Sequence, residues 1–253
     1  MGSTILQIKN LNKSFGRVQA AGNINLDFEE GVLTSIIGPN GAGKSTLINM
    51  LSGSLAPDSG EIVFQGTDIT DWPIHRRVRK GLCRSFQVVN VFPELSVFDN
   101  IMLPALAVRN RSRRLFRSLA KEEAVHQDVN EILENIGLIN ETTTVASALS
   151  HGDQRVLEVG IALAAKPKLL FLDEPTAGMN PVERVGILDN IRRLARQGKT
   201  TFGIVEHDMD IVFSLSERII VLHHGEVIGD GTAAQIKSNP RVREVYLGEE
   251  VAA

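Results

Sequence analysis

The run Gly38-Pro39-Asn40-Gly41-Ala42-Gly43-Lys44-Ser45-Thr46 fits the pattern G-x-x-x-x-G-K-S/T at every fixed position. The chemistry such a run serves is phosphate binding. Glycines let the backbone curl so that N–H groups converge on phosphate oxygens, and the N-terminus of a following helix adds a favourable field for anions. Lys44 is then placed to reach the β- and γ-phosphates, and the Ser45 hydroxyl to sit on Mg²⁺. The motif carries this meaning only between a strand and a helix. Residues 32–37 read as the buried strand, and residues 46–51 as the helix.

Phosphoryl transfer to water also needs a metal ligand, a group to position the water and a stabiliser of developing charge. Residues 168–173 read as a core strand, apolar from Leu169 to Leu172, and Asp173 closes it. Its carboxylate falls at the strand's C-terminal end, where α/β proteins bind ligands. Asp173 is the expected acid for Mg²⁺, directly or through water. Glu174 follows, and on an extended backbone its side chain would point away from that of Asp173, so the two should not share a role. Glu174 is read as the general base that polarises the attacking water. The alternative is that both acids cap a helix or loop. Gln87 ends another strand, where it can contact Mg²⁺ or the water and report the nucleotide state. His207 ends a further core strand, where it can bond the γ-phosphate and orient Glu174; the plainer reading of a lone histidine there is structural.

The elements that must position these groups alternate. Residues 5–8 and 24–28 read as strands of an antiparallel β region, joined by a turn over 13–16 with Phe15 at its tip. A short strand over 61–64, a short basic helix over 73–80 and a strand over 82–86 follow the phosphate loop. No strand is evident from about 90 to 165, and residues 97–107 and 120–136 are apolar at helical spacing. Strands return at 168–173 and 200–205, with helices at 182–196 and 209–216. A hairpin around Gly225 and a short helix at 233–237 complete the chain. The expected fold is α/β: a phosphate-loop NTPase core with a mainly parallel sheet, an N-terminal antiparallel β region and an inserted helical subdomain. All of 1–253 reads as one domain, with 1–87 and 166–253 as core and 88–165 as the insertion.

Composition fits a globular protein, with 43% hydrophobic and 23% charged residues among 253. A net charge of −3 gives no reason to expect a nucleic-acid partner. The one cysteine, Cys83, allows no internal disulfide, which suits a reducing compartment. No apolar run approaches the ~20 residues that span a bilayer. Residues 1–4 lack the features of a signal peptide, and Leu6 stands where myristoylation needs Ser or Thr. Work at a membrane would therefore require a partner that holds the chain there. Arg109, Arg111, Arg113, Arg114 and Arg117 form a basic stretch read as a solvated face, a contact with loops of a membrane partner or anionic headgroups, or a poor nucleic-acid footprint.

Gly38 to Thr46, Gln87, the segment Leu149-Ser150-His151-Gly152-Asp153-Gln154-Arg155, residues 169–175 and His207 stand in the order and spacing of ATP-binding cassette (ABC) ATPases, and the resemblance covers nearly the whole chain. Residues 149–155 resemble that family's signature loop, usually L-S-G-G-Q. The resemblance implies ATP hydrolysis with Mg²⁺, and a head-to-tail pair of cassettes with two ATPs at their interface. Ser150 and Gly152 would then contact the γ-phosphate bound by the other cassette, and Phe15 matches the aromatic that stacks on adenine. Two departures stand out. His151 and Asp153 replace the second-position glycine and the glutamine, and Asp153 brings a negative charge near a phosphate unless Arg155 or another cation offsets it. Asn180 stands where the loop after Glu174 usually has an aspartate.

Within the family the chain looks most similar to cassettes of bacterial branched-chain amino acid uptake systems and the related urea and amide group. The clues are the A-G-M-N-P loop at 177–181, residues 205–209 and the tail from Asn239-Pro240 to Gly248. The resemblance implies a peripheral subunit on the cytoplasmic face of the inner membrane. Its partners would be permease subunits, a second cassette (the same chain or a sister) and, indirectly, a solute-binding protein. A urea or amide importer, a lipid-type exporter and a soluble non-transport cassette are the competing functions.

Overall fold

Alternation in the first residues builds a hairpin longer than its apolar pattern suggests. β1 (Thr4–Phe15) and β2 (Val18–Glu29) pair antiparallel. Leu6 and Ile8 are buried while Gln7 and Lys9 are exposed, and the alternation then slips at Asn10. Asn10 takes φ 47 and, on the facing strand, Asn23 takes φ 49, a left-handed conformation that asparagine tolerates better than most residues. The pairing register shifts between Ile8 and Leu11, so Leu11 returns to the core. Four asparagines secure the irregularity: Asn10 N–H donates to Asn25 at 2.9 Å and Asn23 N–H to Asn12 at 2.8 Å. The hairpin therefore extends to Phe15, past the strand expected over 5–8.

The computed structural model describes residues 2–85, 91–108 and 123–247; Gln87 and the basic stretch 109–117 lie outside them. The chain divides into two units, Met1–Arg77 with Thr201–Ala253, and Val78–Thr200. The first holds two sheets. One is antiparallel, in the order β2-β1-β4-β5, with β4 at Ser59–Phe64 and β5 at Thr67–Asp68. In the other, β3 (Thr34–Ile37) pairs in parallel with β8 (Thr201–Val205) and with β9 (Arg218–His223), and β10 (Glu226–Gly231) closes antiparallel on β9. All residues of β3 and β8 are buried, which is why both read as unbroken apolar or small-residue runs. Helix α1 (Lys44–Ser52) follows β3, and α7 (Met209–Leu215) follows β8. At the end of this unit α8 (Ala233–Ser238) and α9 (Pro240–Leu247) pack on the sheet, with Ile236, Val242 and Tyr246 joining Ile219, Val221 and Ile228.

The second unit is mostly helical. Helix α2 (Ile74–Lys80) leads into it, and β6 (Leu82–Arg84) pairs in parallel with β7 (Leu169–Asp173). Three helices make its core: α3 (Val97–Val108), α4 (Glu123–Ile136) and α5 (His151–Ala164). The α4 residues Val125, Val129, Leu133 and Ile136 recur at three- and four-residue spacing and are all buried, against Ile101, Ala105 and Leu157 of its neighbours. Helix α6 (Pro181–Arg196) completes this unit. Strands β6 and β7 thus group with the helices, so the division falls at 77/78 and 200/201, outside the expected insertion of 88–165.

Candidate functional site

The phosphate loop runs from Gly38, at the end of β3, to Gly43, the residue before α1. Gly41 and Gly43 have φ 80 and 102, conformations open to glycine at little cost. Gly43 offers no side-chain cap to α1, and the first turn of that helix holds no acid. The helix N-terminus is thus left to an anion rather than to the chain's own carboxylate. The Lys44 ammonium is buried and folds back into the loop, donating to the carbonyls of Gly38 at 2.5 Å and Pro39 at 3.1 Å. Ala42 N–H donates to Pro39 at 3.1 Å, so that amide serves the loop's own turn. Asn40 and Ser45 are exposed.

Parallel pairing brings His207 to the same end of the sheet. Val205 stands opposite Ile36, so two further residues on each strand reach His207 and Gly38. His207 is exposed, and its N–H donates to Glu206 at 3.3 Å. Beyond it Asp208 caps α7, accepting from Asp210 and Ile211 N–H. Phe15 closes β1 at the hairpin tip and is 52% exposed. Behind it Asp58 accepts from Lys13 at 2.7 Å and from Ser14 N–H at 2.7 Å, which fastens the hairpin to the start of β4. These two bonds, Lys13 first, hold the Asp58 carboxyl below the usual carboxylate range.

The acids lie on the second unit. Asp173 ends β7, buried at 4% exposure, and Arg84 of β6 donates to its carboxylate at 2.6 Å. Its N–H reaches Ser85 Oγ at 3.3 Å. Arg84 was not singled out from the sequence. The available signal was a cation in the strand Leu82-Cys83-Arg84 and a parallel register that sets Arg84 opposite Phe171. Glu174 is partly buried at φ 48. The chain has left the strand here for the left-handed region, so the alternation argument that set Glu174 opposite Asp173 does not hold. A turn follows, with Ala177 N–H on the Glu174 carbonyl at 3.1 Å.

Both departures in the loops of this unit lie at helix starts: Asn180 is itself a cap, and Asp153 stands in the first turn beside the cap Ser150. Ser150 precedes α5, and its hydroxyl accepts from Asp153 N–H at 3.1 Å and donates to the Asp153 carboxylate at 2.9 Å. An acid in the first turn of a helix is electrostatically favourable, so Asp153 has a local reason to be there. Arg155 pairs with Glu158 at 3.0 Å, one turn further on. His151 is exposed. Asn180 caps α6, accepting from Val182 and Glu183 N–H at 3.0 Å each, while Glu183 accepts from Asn180 N–H at 3.1 Å. A Cβ on Gly152 would meet the Glu183 carboxylate at 2.9 Å, so glycine there permits close approach of α5 and α6.

These features fit a nucleotide phosphate. The uncapped helix start, left-handed glycines and an inward lysine form a cradle of donors. Mg²⁺ bound with a nucleotide takes most of its ligands from phosphates and water, and the exposed Ser45 hydroxyl beside the cradle is an oxygen of the kind it accepts from protein. No cluster of three metal-binding side chains occurs among the described residues.

The family profile described as ABC transporter matches residues 21–177, and one described as branched-chain amino acid ATP-binding cassette transporter matches 226–252. The probable branched-chain amino acid transport ATP-binding protein LivG of Archaeoglobus fulgidus is 38% identical over 251 residues, covering 97% of this chain and 96% of the relative. The high-affinity branched-chain amino acid transport ATP-binding protein BraF of Pseudomonas aeruginosa is 36% identical over 256 residues, covering 98% and 100%. Among solved structures, the ADP conformation of an ATP-binding cassette from an ABC transporter superposes with a TM-score of 0.84 at 33% identity, covering 97% of this chain and 99% of that one. A nucleotide-free cassette superposes at 0.83 and 32%, covering 96% and 99%.

Proposed function

The chain belongs to the ABC transporter family, and from that premise we propose that it is the ATP-hydrolysing subunit of a membrane importer for branched-chain amino acids. The observation that carries the substrate class is the match of residues 226–252 to branched-chain cassettes, together with relatives of that description along nearly the full length. The backbone N–H groups of the phosphate loop and Lys44 hold the β- and γ-phosphates, and Phe15 receives the adenine. Glu174 accepts a proton from the attacking water as its oxygen bonds the γ-phosphorus and the bridging oxygen leaves with ADP. His207 donates to the γ-phosphate. Ser150 and Gly152 serve the nucleotide of a second cassette. Ser45 and Asp173, with Gln87, would hold Mg²⁺, which when bound neutralises phosphate charge.

No helix among the described residues is long and apolar enough to cross a membrane. We place the chain at the cytoplasmic face of the membrane, held by permease subunits. The test is purification of the tagged chain from detergent-solubilised membranes, identification of what accompanies it, and ATPase assay with candidate solutes and their binding protein. Multi-span permeases, a sister cassette and hydrolysis stimulated by leucine, isoleucine or valine are expected. Stimulation by urea or amides alone would move the substrate class, and only ribosomal or DNA-bound companions would end the transport reading.

A further inference from the structure

We propose that Gly225 is a positioning residue for the phosphate loop: it pins the Ala42 carbonyl and thereby aims the Gly43 N–H at the nucleotide. The inference rests on the reading of that loop as an ATP cradle. The turn between β9 and β10 lies against the loop, and three stretches of backbone meet there. Gly225 N–H donates to the Ala42 carbonyl at 2.9 Å, and the Gly225 carbonyl accepts from Gly22 N–H of β2 at 2.8 Å. Glycines mark the crossings. A Cβ on Gly225 would lie 2.9 Å from the carbonyl carbon, 3.0 Å from the oxygen of Ala20 and 3.1 Å from the nitrogen of Ala21. A Cβ on Gly43 would strike the Ala20 carbonyl and come within 3.4 Å of Gly225 Cα, and one on Gly38 would strike the Leu222 carbonyl.

The consequence follows from the peptide plane. The Ala42–Gly43 peptide is trans, as are all the described peptides. A planar trans peptide points its C=O and N–H in opposite directions. Fixing the Ala42 carbonyl outward on Gly225 therefore fixes the Gly43 N–H inward, at the start of α1, where phosphate oxygens are to be bound. Without the pin, rotation of this peptide would turn a carbonyl dipole toward the phosphate in place of an N–H. Gly225 touches no nucleotide in this scheme and acts through Ala42 and Gly43. Binding must also tighten the pin, since coupling between two equilibria is reciprocal.

The experiment titrates the full chain with Mg·ATP, following binding by calorimetry and folding by thermal melts, for Gly225→Ala, Gly31→Ala and Lys44→Ala. Gly31 is the matched control: its φ of 79 equals the 78 of Gly225 within a degree, but nothing lies within 4 Å of a Cβ there. Gly225→Ala is expected to weaken ATP binding at least tenfold at a temperature where it is folded. Gly31→Ala should melt lower yet bind like the unaltered chain, and Lys44→Ala should lose binding. Unchanged affinity in Gly225→Ala, or equal weakening in Gly31→Ala, overturns the positioning role while the loss in Lys44→Ala upholds the cradle. Full binding by Lys44→Ala overturns the cradle and the proposal with it. Should Gly225→Ala fail to fold, amide exchange in the unaltered chain decides. A non-hydrolysable ATP analogue should slow exchange of Gly225 N–H at least tenfold more than that of Gly31 N–H, which is bonded to Thr201 at 3.0 Å. Equal slowing at both overturns the proposal.

Discussion

Glu174 carries a cost that its proposed role explains. A non-glycine residue in the left-handed region is disfavoured by roughly 1–2 kcal/mol, and strain of this kind concentrates at functional sites. Two substitutions separate stability from chemistry. Glu174→Gln should abolish hydrolysis measured as phosphate release and leave ATP binding intact, because only the proton acceptor is lost. Glu174→Gly should abolish hydrolysis too, yet raise the urea midpoint by an amount equivalent to about 1 kcal/mol after the greater chain entropy of glycine is subtracted. Hydrolysis by Glu174→Gln at the unaltered rate would remove Glu174 from the chemistry. The neighbouring pair makes a different prediction. Asp173 and Arg84 side chains are 4% and 13% exposed and 2.6 Å apart. Arg84→Met leaves a buried carboxylate without that partner and should cost about 3–5 kcal/mol by denaturant unfolding. Adding Asp173→Asn should recover much of the loss, whereas additive costs would mean the pair is not coupled.

At the scale of the element, caps decide where the helices begin, and they account for what the sequence does and does not disclose. Asn180→Ala should destabilise the chain by about 1 kcal/mol through the lost cap of α6. Asn180→Asp should leave the unfolding midpoint within experimental error, because aspartate caps equally well. A large change in Asn180→Asp would show that the amide has a partner beyond the two N–H groups it serves. The same Asn-Pro step opens α9, where Asn239 accepts from Arg241 N–H at 3.0 Å, yet no helix was expected over 240–247. The start signal was present there, but eight residues, three of them charged, are too few to show a period. The places of the phosphate loop, Asp173 and His207 at strand ends were legible because each follows an apolar run, whereas the left-handed turn at Glu174 was not. Arg84 and Gly225 were not, because their partners are distant in the chain. Arg84 meets Asp173 only through the β6–β7 register, and Gly225 meets Ala42 only once β9 lies beside β3. Arg77 belongs with them. It is buried among carbonyls, donating to Met50 and Leu51 at the end of α1 and to Thr70 and Trp72, and burial pushes its guanidinium down to about 10. Nothing in a basic run such as residues 75–80 distinguishes the one arginine that turns inward.

For the molecule as a whole, the candidate groups are divided in a way that bears on assembly. The cradle, Phe15 and His207 belong to one unit, and Asp173, Glu174 and the Ser150 loop to the other. The Ser150 hydroxyl is already bonded to Asp153 at the start of α5, so its loop is formed before any nucleotide of a second cassette meets it. A preformed loop loses little conformational freedom on docking, which would favour association if, as proposed, ATP bridges the two cassettes. On that proposal hydrolysis would remove the bridge, so a paired state would be captured best when hydrolysis is blocked. Glu174→Gln with Mg·ATP should therefore double in mass by light scattering, and the same protein with Mg·ADP should remain a single chain. Adding Ser150→Ala to Glu174→Gln should weaken this pairing at least tenfold while leaving ATP binding to the phosphate loop unchanged, since Ser150 would act only on the nucleotide of the other cassette. A doubled mass that is indifferent to Ser150→Ala would mean the chains meet through another surface. A Glu174→Gln chain that stays single with ATP, yet pairs once a sister cassette from the same transporter is added, would make the working assembly a heteropair.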